Sequence, residues 1–90
     1  MLNSVLVEGI LLEDPDLTSG VYVFSIDSRK YFRDKKALRE EINVFDVEVP
    51  ERIYNNASIK KGELVRITGY LRQYKNGCCI IAEHVERRKQ

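Results

Sequence analysis

The segment ELVRITGYLRQYKNGCCIIAEHVE, from Glu63 to Glu86, decides the fold because it predicts two strands joined by a tight turn. Apolar residues occupy alternate positions from Glu63 to Tyr74, which is typical of a strand with one buried face. Lys75-Asn76-Gly77 is a strong hairpin signal, and the apolar run from Cys78 to Glu86 predicts the second strand. Gly69, inside the first strand, indicates a bulge or a close backbone approach.

Three further strands are predicted before this hairpin. They cover Ser4 to Glu13, Val21 to Asp27 and Ile42 to Val49. Gly9 interrupts the first of them, which also indicates a bulge or a close backbone approach. Turn-forming residues from Asp14 to Gly20 separate the first two strands. The basic segment between the second and third strands predicts a hairpin loop or a strand extension.

A short helix is predicted from Pro50 to Gly62. Pro50 suits the first turn, Lys60 and Lys61 suit the last turn, and Gly62 suits the C-terminal cap. The predicted order is therefore three strands, a helix and two strands. This order is typical of the all-β oligonucleotide-binding (OB) fold, a five-stranded Greek-key barrel with a helix between strands three and four.

The length of 90 residues predicts a single domain over 1–90, with a polar end at 86–90 that we expect to fray. Hydrophobic residues make up 43% of the chain, as in ordinary soluble domains. No apolar run approaches the ~20 residues of a membrane helix, and the start lacks the basic region of a signal peptide. We therefore expect a cytoplasmic protein.

The net charge of +1 conceals a basic block followed by an acidic block. From Ser28 to Arg39, six basic residues stand against the single acid Asp34. From Glu40 to Glu51 there are five acids and no base. This segregation predicts a basic surface and an acidic surface on one small domain.

Residues typical of metal sites and catalysis are scarce. Cys78 and Cys79 are adjacent, so on a strand they point to opposite faces and could join only through strained geometry. With His84 as the one histidine and no Cys-x-x-Cys spacing, we predict no metal site and no cofactor. No nucleophile motif or phosphate-binding glycine loop is found, so we do not expect an enzyme.

Three segments resemble the bacterial single-stranded-DNA-binding protein family. Leu6 to Leu17 resembles the family's opening, with a strand, a glycine and Asp-Pro-acid-Leu. Val23 to Val49 resembles its next two strands and the basic aromatic loop, and Ile59 to Tyr74 resembles its Lys-Lys-Gly and glycine-containing strand. The final hairpin with Ala82 to Glu86 also resembles the related primosomal replication protein N. The resemblance implies an OB fold, single-stranded DNA as ligand, homo-oligomers and no catalysis.

The aromatic residues that stack on bases in this family carry over unevenly. Phe32, before Arg33-Asp34-Lys35, stands where the family places a loop aromatic, and Tyr74 is a looser second match. Val44 and Pro50 stand where two further aromatics are usual. The family's disordered tail with an acidic tip, which docks repair and replication partners, has no counterpart in these residues.

Alternation along the Glu63–Tyr74 strand identifies a possible binding face without reference to the family. Val65, Ile67, Gly69 and Leu71 should form the core face. Basic and aromatic side chains then alternate on the other face, as sequence-tolerant single-strand binding requires, because cations track phosphates and rings stack on bases. That face comprises Arg66, Thr68, Tyr70, Arg72 and Tyr74.

The stretch SRKYFRDKK, from Ser28 to Lys36, suggests the same chemistry, because it surrounds two rings with five cations. The alternative is that the cations are only solvated and that the rings pack on the loop or on another subunit. Tyr22, Phe24, Phe45 and Tyr54 are expected to pack in the core or against it. The predicted nucleic-acid-binding residues are Arg29, Lys30, Tyr31, Phe32, Arg33, Lys35, Lys36, Arg66, Tyr70, Arg72, Tyr74 and Lys75.

Strand three raises an objection, because Asp46 and Glu48 face outward if Val47 and Val49 face the core. Carboxylates on the ligand side would repel phosphates. Two hypotheses therefore stay open: a single-stranded-DNA-binding protein of replication, repair or recombination, or a primosomal OB-fold assembly module that acts mainly through protein partners. RNA in place of DNA, a dimer or a tetramer, and the length of the binding site also stay open.

Overall fold

The computed structural model describes residues 2–89, and within them the chain is mostly strand with one short helix. The helix α1 spans Glu51–Ala57. The strands are β1 (Val5–Leu11), β2 (Asp16–Thr18), β3 (Val21–Asp27), β4 (Lys30–Asp34), β5 (Ala37–Glu41), β6 (Val44–Pro50), β7 (Leu64–Tyr74) and β8 (Gly77–Arg88).

The main sheet has the strand order β1-β7-β8-β6-β3-β2, and β1 also pairs with β3, so the ladder returns to its first strand. The β6–β8 pair is parallel and the other pairs are antiparallel. The five strands expected from the sequence correspond to β1, β3, β6, β7 and β8. The strand β2 was not predicted and lies inside the expected turn from Asp14 to Gly20, where Asp16–Thr18 pairs with β3.

Alternating side chains of three strands, β3, β6 and β7, form much of the core, together with residues of β1 and β8 and with Ile59. Phe24 and Ile26 of β3 are buried, and Tyr22 and Phe45 pack against the core while partly exposed. The prediction for Leu71 is wrong, because this residue is 43% exposed. After Gly69 the strand β7 extends beyond the edge of the core. Its side chains still alternate between the two faces, but no residue after Gly69 in this strand is buried. The other buried residues of these three strands are Val47, Val49, Val65 and Ile67.

Two glycines allow strands to approach each other closely, as the sequence predicted. A methyl group at Gly69 would overlap the carbonyl oxygen of Ile81 on β8. The register of β7 and β8 shifts between Thr68 and Gly69, which is a bulge. At Gly9 a Cβ would lie 2.9 Å from the carbonyl oxygen of Asp27, where β1 crosses to β3.

The helix is shorter than predicted. Ser58 adopts a left-handed conformation with φ of 49°, and its N–H donates a hydrogen bond to the Tyr54 carbonyl oxygen at 2.8 Å. Ser58 is thus the C-terminal cap, and the predicted last turn with Lys60, Lys61 and the Gly62 cap lies beyond the helix. Asparagine and serine are weak helix formers, and the chain turns inward to bury the next residue, Ile59.

The helix packs against the sheet through Tyr54. Tyr54 stacks on Tyr22 with 3.6 Å between ring centroids, which confirms its predicted packing role.

The end of the chain is more ordered than the sequence predicts. The prediction of a frayed end is wrong for Glu86–Arg88, because these residues belong to β8 and pair with Leu64–Arg66. Gln90 lies outside the described residues. No helix within residues 2–89 is long and apolar enough to cross a membrane.

Candidate nucleic-acid interface

The basic segment folds into a separate two-stranded hairpin, β4–β5, in which Phe32 pairs with Arg39. Lys35 and Lys36 form its turn with φ of 47° and 70°. A two-residue hairpin turn of type I′ requires positive φ at both positions, which asparagine and glycine adopt most easily. The chain accepts backbone strain there and places two cations at the tip of the hairpin.

The two rings of this hairpin point in opposite directions. Tyr31 and Phe32 are neighbours on β4, and successive side chains of a strand lie on opposite faces. Both are accessible, with Tyr31 60% exposed and Phe32 39% exposed. A single strand that follows one face of the hairpin can therefore stack on only one of these two rings.

Part of the positive charge of the hairpin is neutralised within the protein. The Arg29 guanidinium bonds to Asp27 at 2.8 Å and to Glu40 at 2.5 Å, and these hydrogen bonds raise the pKa of Arg29. Arg39 pairs with Asp34 at 3.1 Å. The hairpin cations that make no ion pair within residues 2–89 are Lys30, Arg33, Lys35 and Lys36.

The far half of β7 brings together three of the predicted binding residues: Tyr70, Arg72 and Tyr74. Arg72 Nη2 donates to the Tyr70 hydroxyl at 3.2 Å, and the guanidinium carbon lies 6.0 Å from the centroid of the Tyr70 ring. That distance is at the limit of a cation–π contact. Tyr74 is 44% exposed at the end of the strand, so its ring is available for stacking.

Glu48 lies on the same face as these residues. The Tyr74 hydroxyl donates to Glu48 Oε1 at 2.5 Å, and Arg72 Nη1 lies 3.8 Å from Glu48 Oε2. Asp46 also points outward, and its Oδ1 accepts a hydrogen bond from the Ser25 hydroxyl at 2.9 Å. The objection raised by the sequence therefore applies to Glu48, since this carboxylate lies beside both Tyr74 and Arg72, two of the predicted binding residues.

The two cysteines lie on opposite faces of β8, with Cys79 opposite Arg72 on this face and Cys78 opposite Gln73 on the other. Cys79 is buried, and its thiol donates a hydrogen bond to the Tyr74 hydroxyl at 2.8 Å. Burial raises the pKa of the Cys79 thiol, and the hydrogen bonds to Cys79 and Glu48 raise the pKa of Tyr74. Cys78 is exposed and free. Within residues 2–89, no three metal-ligating side chains come together.

Arg66 stands apart from the other predicted residues. Its guanidinium pairs with Glu8 of β1 at 2.7 Å, so its charge is neutralised within the sheet. Six positions separate it from Arg72 along β7, which corresponds to about 20 Å of strand. The alternation predicts both on one face, but the pairing of Arg66 with Glu8 and this distance along the strand give the two arginines different roles.

The two hairpins arise at the same end of the main sheet. The strands β6 and β8 run parallel, and Val47 of β6 pairs with Ile80 of β8. Three residues earlier on both strands, Val44 and Gly77 therefore lie at the same level. Val44 pairs with Asp27, beside the point where the β4–β5 hairpin leaves the sheet. Lys75, in the β7–β8 turn, therefore lies at the end from which the basic hairpin projects.

A groove of about 410 Å³ extends the face past Tyr70 and brings in a residue that the sequence analysis missed. Arg52 of α1 lines it, and among the described residues this cation makes no ion pair. Nothing in the sequence distinguishes Arg52, because only packing of the helix against β8 and β6 brings it to the groove that Tyr70 also lines. The groove is lined by Pro50, Arg52, Ile53, Tyr70, Ile81, Ala82 and Glu83.

Replacing the hairpin turn by the variant Lys35→Asn, Lys36→Gly should stabilise the hairpin, and it should weaken nucleic-acid binding if the hairpin belongs to the interface. The left-handed conformation costs most residues about 1–2 kcal/mol, and asparagine and glycine avoid most of this cost. Hydrogen exchange at the β4 and β5 amides should slow by about fivefold or more. If both lysines contact phosphates, the salt slope of single-strand binding should shrink by about 1.4.

The matched control for the turn is Lys35→Ala, Lys36→Ala, which removes the same charges and keeps the strain. Its binding should fall as much, while hydrogen exchange at the hairpin does not slow. Wild-type affinity and salt slope in both variants would show that the tip of the hairpin lies away from the ligand.

Three solved structures share this fold over nearly the whole chain. A Plasmodium falciparum SSB in complex with ssDNA is 20% identical, with a TM-score of 0.81, over 99% of this chain and 97% of that one. A deletion mutant of the Thermus aquaticus single-stranded-DNA-binding protein is 23% identical, with a TM-score of 0.80, over 98% of this chain and 51% of that one. The PriB protein of Ralstonia solanacearum is 10% identical, with a TM-score of 0.73, over 99% of this chain and 100% of that one.

These likenesses confirm the predicted resemblance at the level of the fold, which is mostly β with one short helix. They include both kinds of protein that the sequence segments resembled, the single-strand binders and the primosomal relative. No protein-family model matches the chain, and no curated protein sequence matches it.

Proposed function

We propose that this protein binds single-stranded DNA in replication, repair or recombination and catalyses no reaction. The observation that carries the proposal is the placement of two arms at one end of the sheet, each of which combines rings with cations. One arm is the β4–β5 hairpin, with Phe32 and four cations that make no ion pair with any residue from 2 to 89, and the other is the far half of β7. The fold shared with a protein solved in complex with ssDNA supports the same ligand.

In the proposed complex, the unpaired lysines and arginines follow the phosphates while bases stack on Phe32, Tyr70 and Tyr74. Stacking on rings tolerates any sequence, because every base has a π-face. Arg29 and Arg66 belonged to the predicted set, but each donates a hydrogen bond to a carboxylate, so we assign them to orienting the hairpin and β1. Arg72 lies 3.8 Å from Glu48, beyond hydrogen-bond distance, and stays in the site. Arg52 and Lys75 extend the cationic track at the two ends of the β7 face.

The proposed architecture behind this site is a single OB domain, a five-stranded Greek-key barrel of β1, β7, β8, β6 and β3. The return of the strand ladder to β1 supports it. We also propose a cytoplasmic homo-dimer or tetramer. Leu6 and Ile10 on the outward face of β1 are 64% and 41% exposed, and a second copy could cover this apolar surface.

The substitutions Phe32→Ala and Arg72→Ala test the site. Loss of the Phe32 ring should cost about 1–3 kcal/mol of binding to a single-stranded oligonucleotide. Loss of Arg72 should reduce the salt slope by about 0.7. Tyr31→Ala should weaken binding less than Phe32→Ala does. The two rings lie on opposite faces of the hairpin, and the family resemblance favours Phe32 as the stacking ring.

A suitable control is Lys60→Ala, which removes an exposed cation in the loop after the helix and should leave both quantities unchanged. Wild-type affinity in both Phe32→Ala and Arg72→Ala would contradict this assignment. Fluorescence anisotropy of a labelled oligonucleotide at several salt concentrations measures both effects.

Glu48 and Asp46 favour the second candidate, an OB-fold assembly module that acts mainly through protein partners. The acids give the binding face a negative strip that a basic partner surface could contact. RNA instead of DNA is a variant of the first candidate, since OB folds serve both. Comparing DNA and RNA oligonucleotides of one sequence separates these two ligands.

A further inference from the structure

The geometry points to Glu48 as a residue that sets base preference, disfavouring thymine relative to bases that carry an exocyclic amino group. This inference rests on the proposed function, because it requires a single strand lying over the Tyr74 ring. It gives a chemical role to a carboxylate that otherwise only repels phosphate.

Glu48 is held at the hydroxyl end of the Tyr74 ring. The hydrogen bond between the Tyr74 hydroxyl and Glu48 Oε1 is 2.5 Å long. The Glu48 side chain is 22% exposed and Tyr74 is 44% exposed, so both are open to a ligand. A base that stacks on Tyr74 would therefore bring its polar edge close to the carboxylate.

The second oxygen of Glu48 has free accepting capacity. Its nearest cation, Arg72 Nη1, lies 3.8 Å away, which is beyond hydrogen-bond distance. Within residues 2–89, Glu48 Oε2 accepts no hydrogen bond. An ionised carboxylate has about four lone-pair sites and no donor, so Oε2 can accept a hydrogen bond from a base but cannot donate one.

The four bases differ in what they offer to such an acceptor. Cytosine and adenine present an amino group, and guanine presents an amino group beside a ring N–H. Thymine has no amino group, and its ring N–H lies between two carbonyl oxygens that a carboxylate repels. Glu48 should therefore favour cytosine over thymine at the Tyr74 position beyond any difference in stacking.

The test compares oligo(dC) with oligo(dT) of about 16 nucleotides, the upper end of the site size for one OB fold. Both are titrated at pH 8 and one salt concentration, with the wild-type protein and with Glu48→Gln. The amide still accepts the Tyr74 hydroxyl but can also donate to a thymine carbonyl. Glu48→Gln should lower the ratio of dC affinity to dT affinity by about three- to tenfold.

Glu13→Gln is the matched control, since it removes the same charge from the exposed loop between β1 and β2, two strands that carry none of the proposed stacking residues. It should raise both affinities slightly and leave their ratio unchanged. A ratio in Glu48→Gln equal to that of the control would overturn the inference while leaving single-strand binding intact. Failure of the wild-type protein to bind either oligonucleotide would instead overturn the proposed function.

Discussion

Replacing Tyr70 and Tyr74 together by alanine should weaken binding of single-stranded DNA by about 2–6 kcal/mol, which is a loss of roughly 30-fold or more. Each ring offers a stacking surface worth about 1–3 kcal/mol. The Tyr70 ring also supports the Arg72 guanidinium, which would lose its cation–π contact and its hydroxyl acceptor. Anisotropy titration of one oligonucleotide, with wild type and variant at equal salt, measures the loss.

The control for this pair is Tyr70→Phe, Tyr74→Phe, which keeps both rings and removes both hydroxyls. Binding within a few-fold of wild type is expected, because stacking needs the ring and not the hydroxyl. If the phenylalanine pair binds as poorly as the alanine pair, the tyrosines act through their hydrogen bonds to Glu48 and Arg72, and the stacking account is wrong.

The variant Gly69→Ala should lower the free energy of unfolding by about 3 kcal/mol or more. The added methyl group would meet the backbone of Ile81 and Ala82 on β8, and backbone cannot move aside as a flexible side chain can. Relief would require the β7–β8 bulge to open, and that hairpin supplies both core residues and the binding face. Urea denaturation followed by circular dichroism measures the change.

Gly20→Ala separates this clash from ordinary backbone strain. Gly20 has φ of 83° and open space around its Cβ position, so the substitution should cost only about 1 kcal/mol. A loss in Gly69→Ala no larger than in Gly20→Ala would mean that β7 and β8 do not approach as closely as described.

The strands of the core could be predicted because alternation and glycine placement are local signals. Phe24, Val47 and Val65 stand at alternate positions predicted to face the core, and they are buried as expected. The end of the helix could not be predicted, because Lys60, Lys61 and Gly62 imitate a helix terminus while burial of Ile59 ends the helix at Ser58. The exposure of Leu71 depends on where the core ends, which alternation does not indicate.

The site was predictable in its residue types but not in its pairings. The alternation placed Tyr70, Arg72 and Tyr74 on one face, and the structure brings them together. The pairing of Arg66 with Glu8, 58 positions apart, depends on the register of β1 and β7. Such long-range contacts decide which cations stay free to bind phosphate. A count of basic residues in the sequence therefore overstates the number of free cations.

The most direct test of the central claim is a salt titration of binding to a mixed-sequence single strand and to its duplex. Four hairpin cations that make no ion pair within residues 2–89, together with Arg52, Arg72 and Lys75, predict a single-strand slope of log affinity against log salt of about −5. The account predicts that slope together with much weaker binding to the duplex. Equal affinity for both would reduce the site to a basic patch, and absence of binding at low salt would contradict the account.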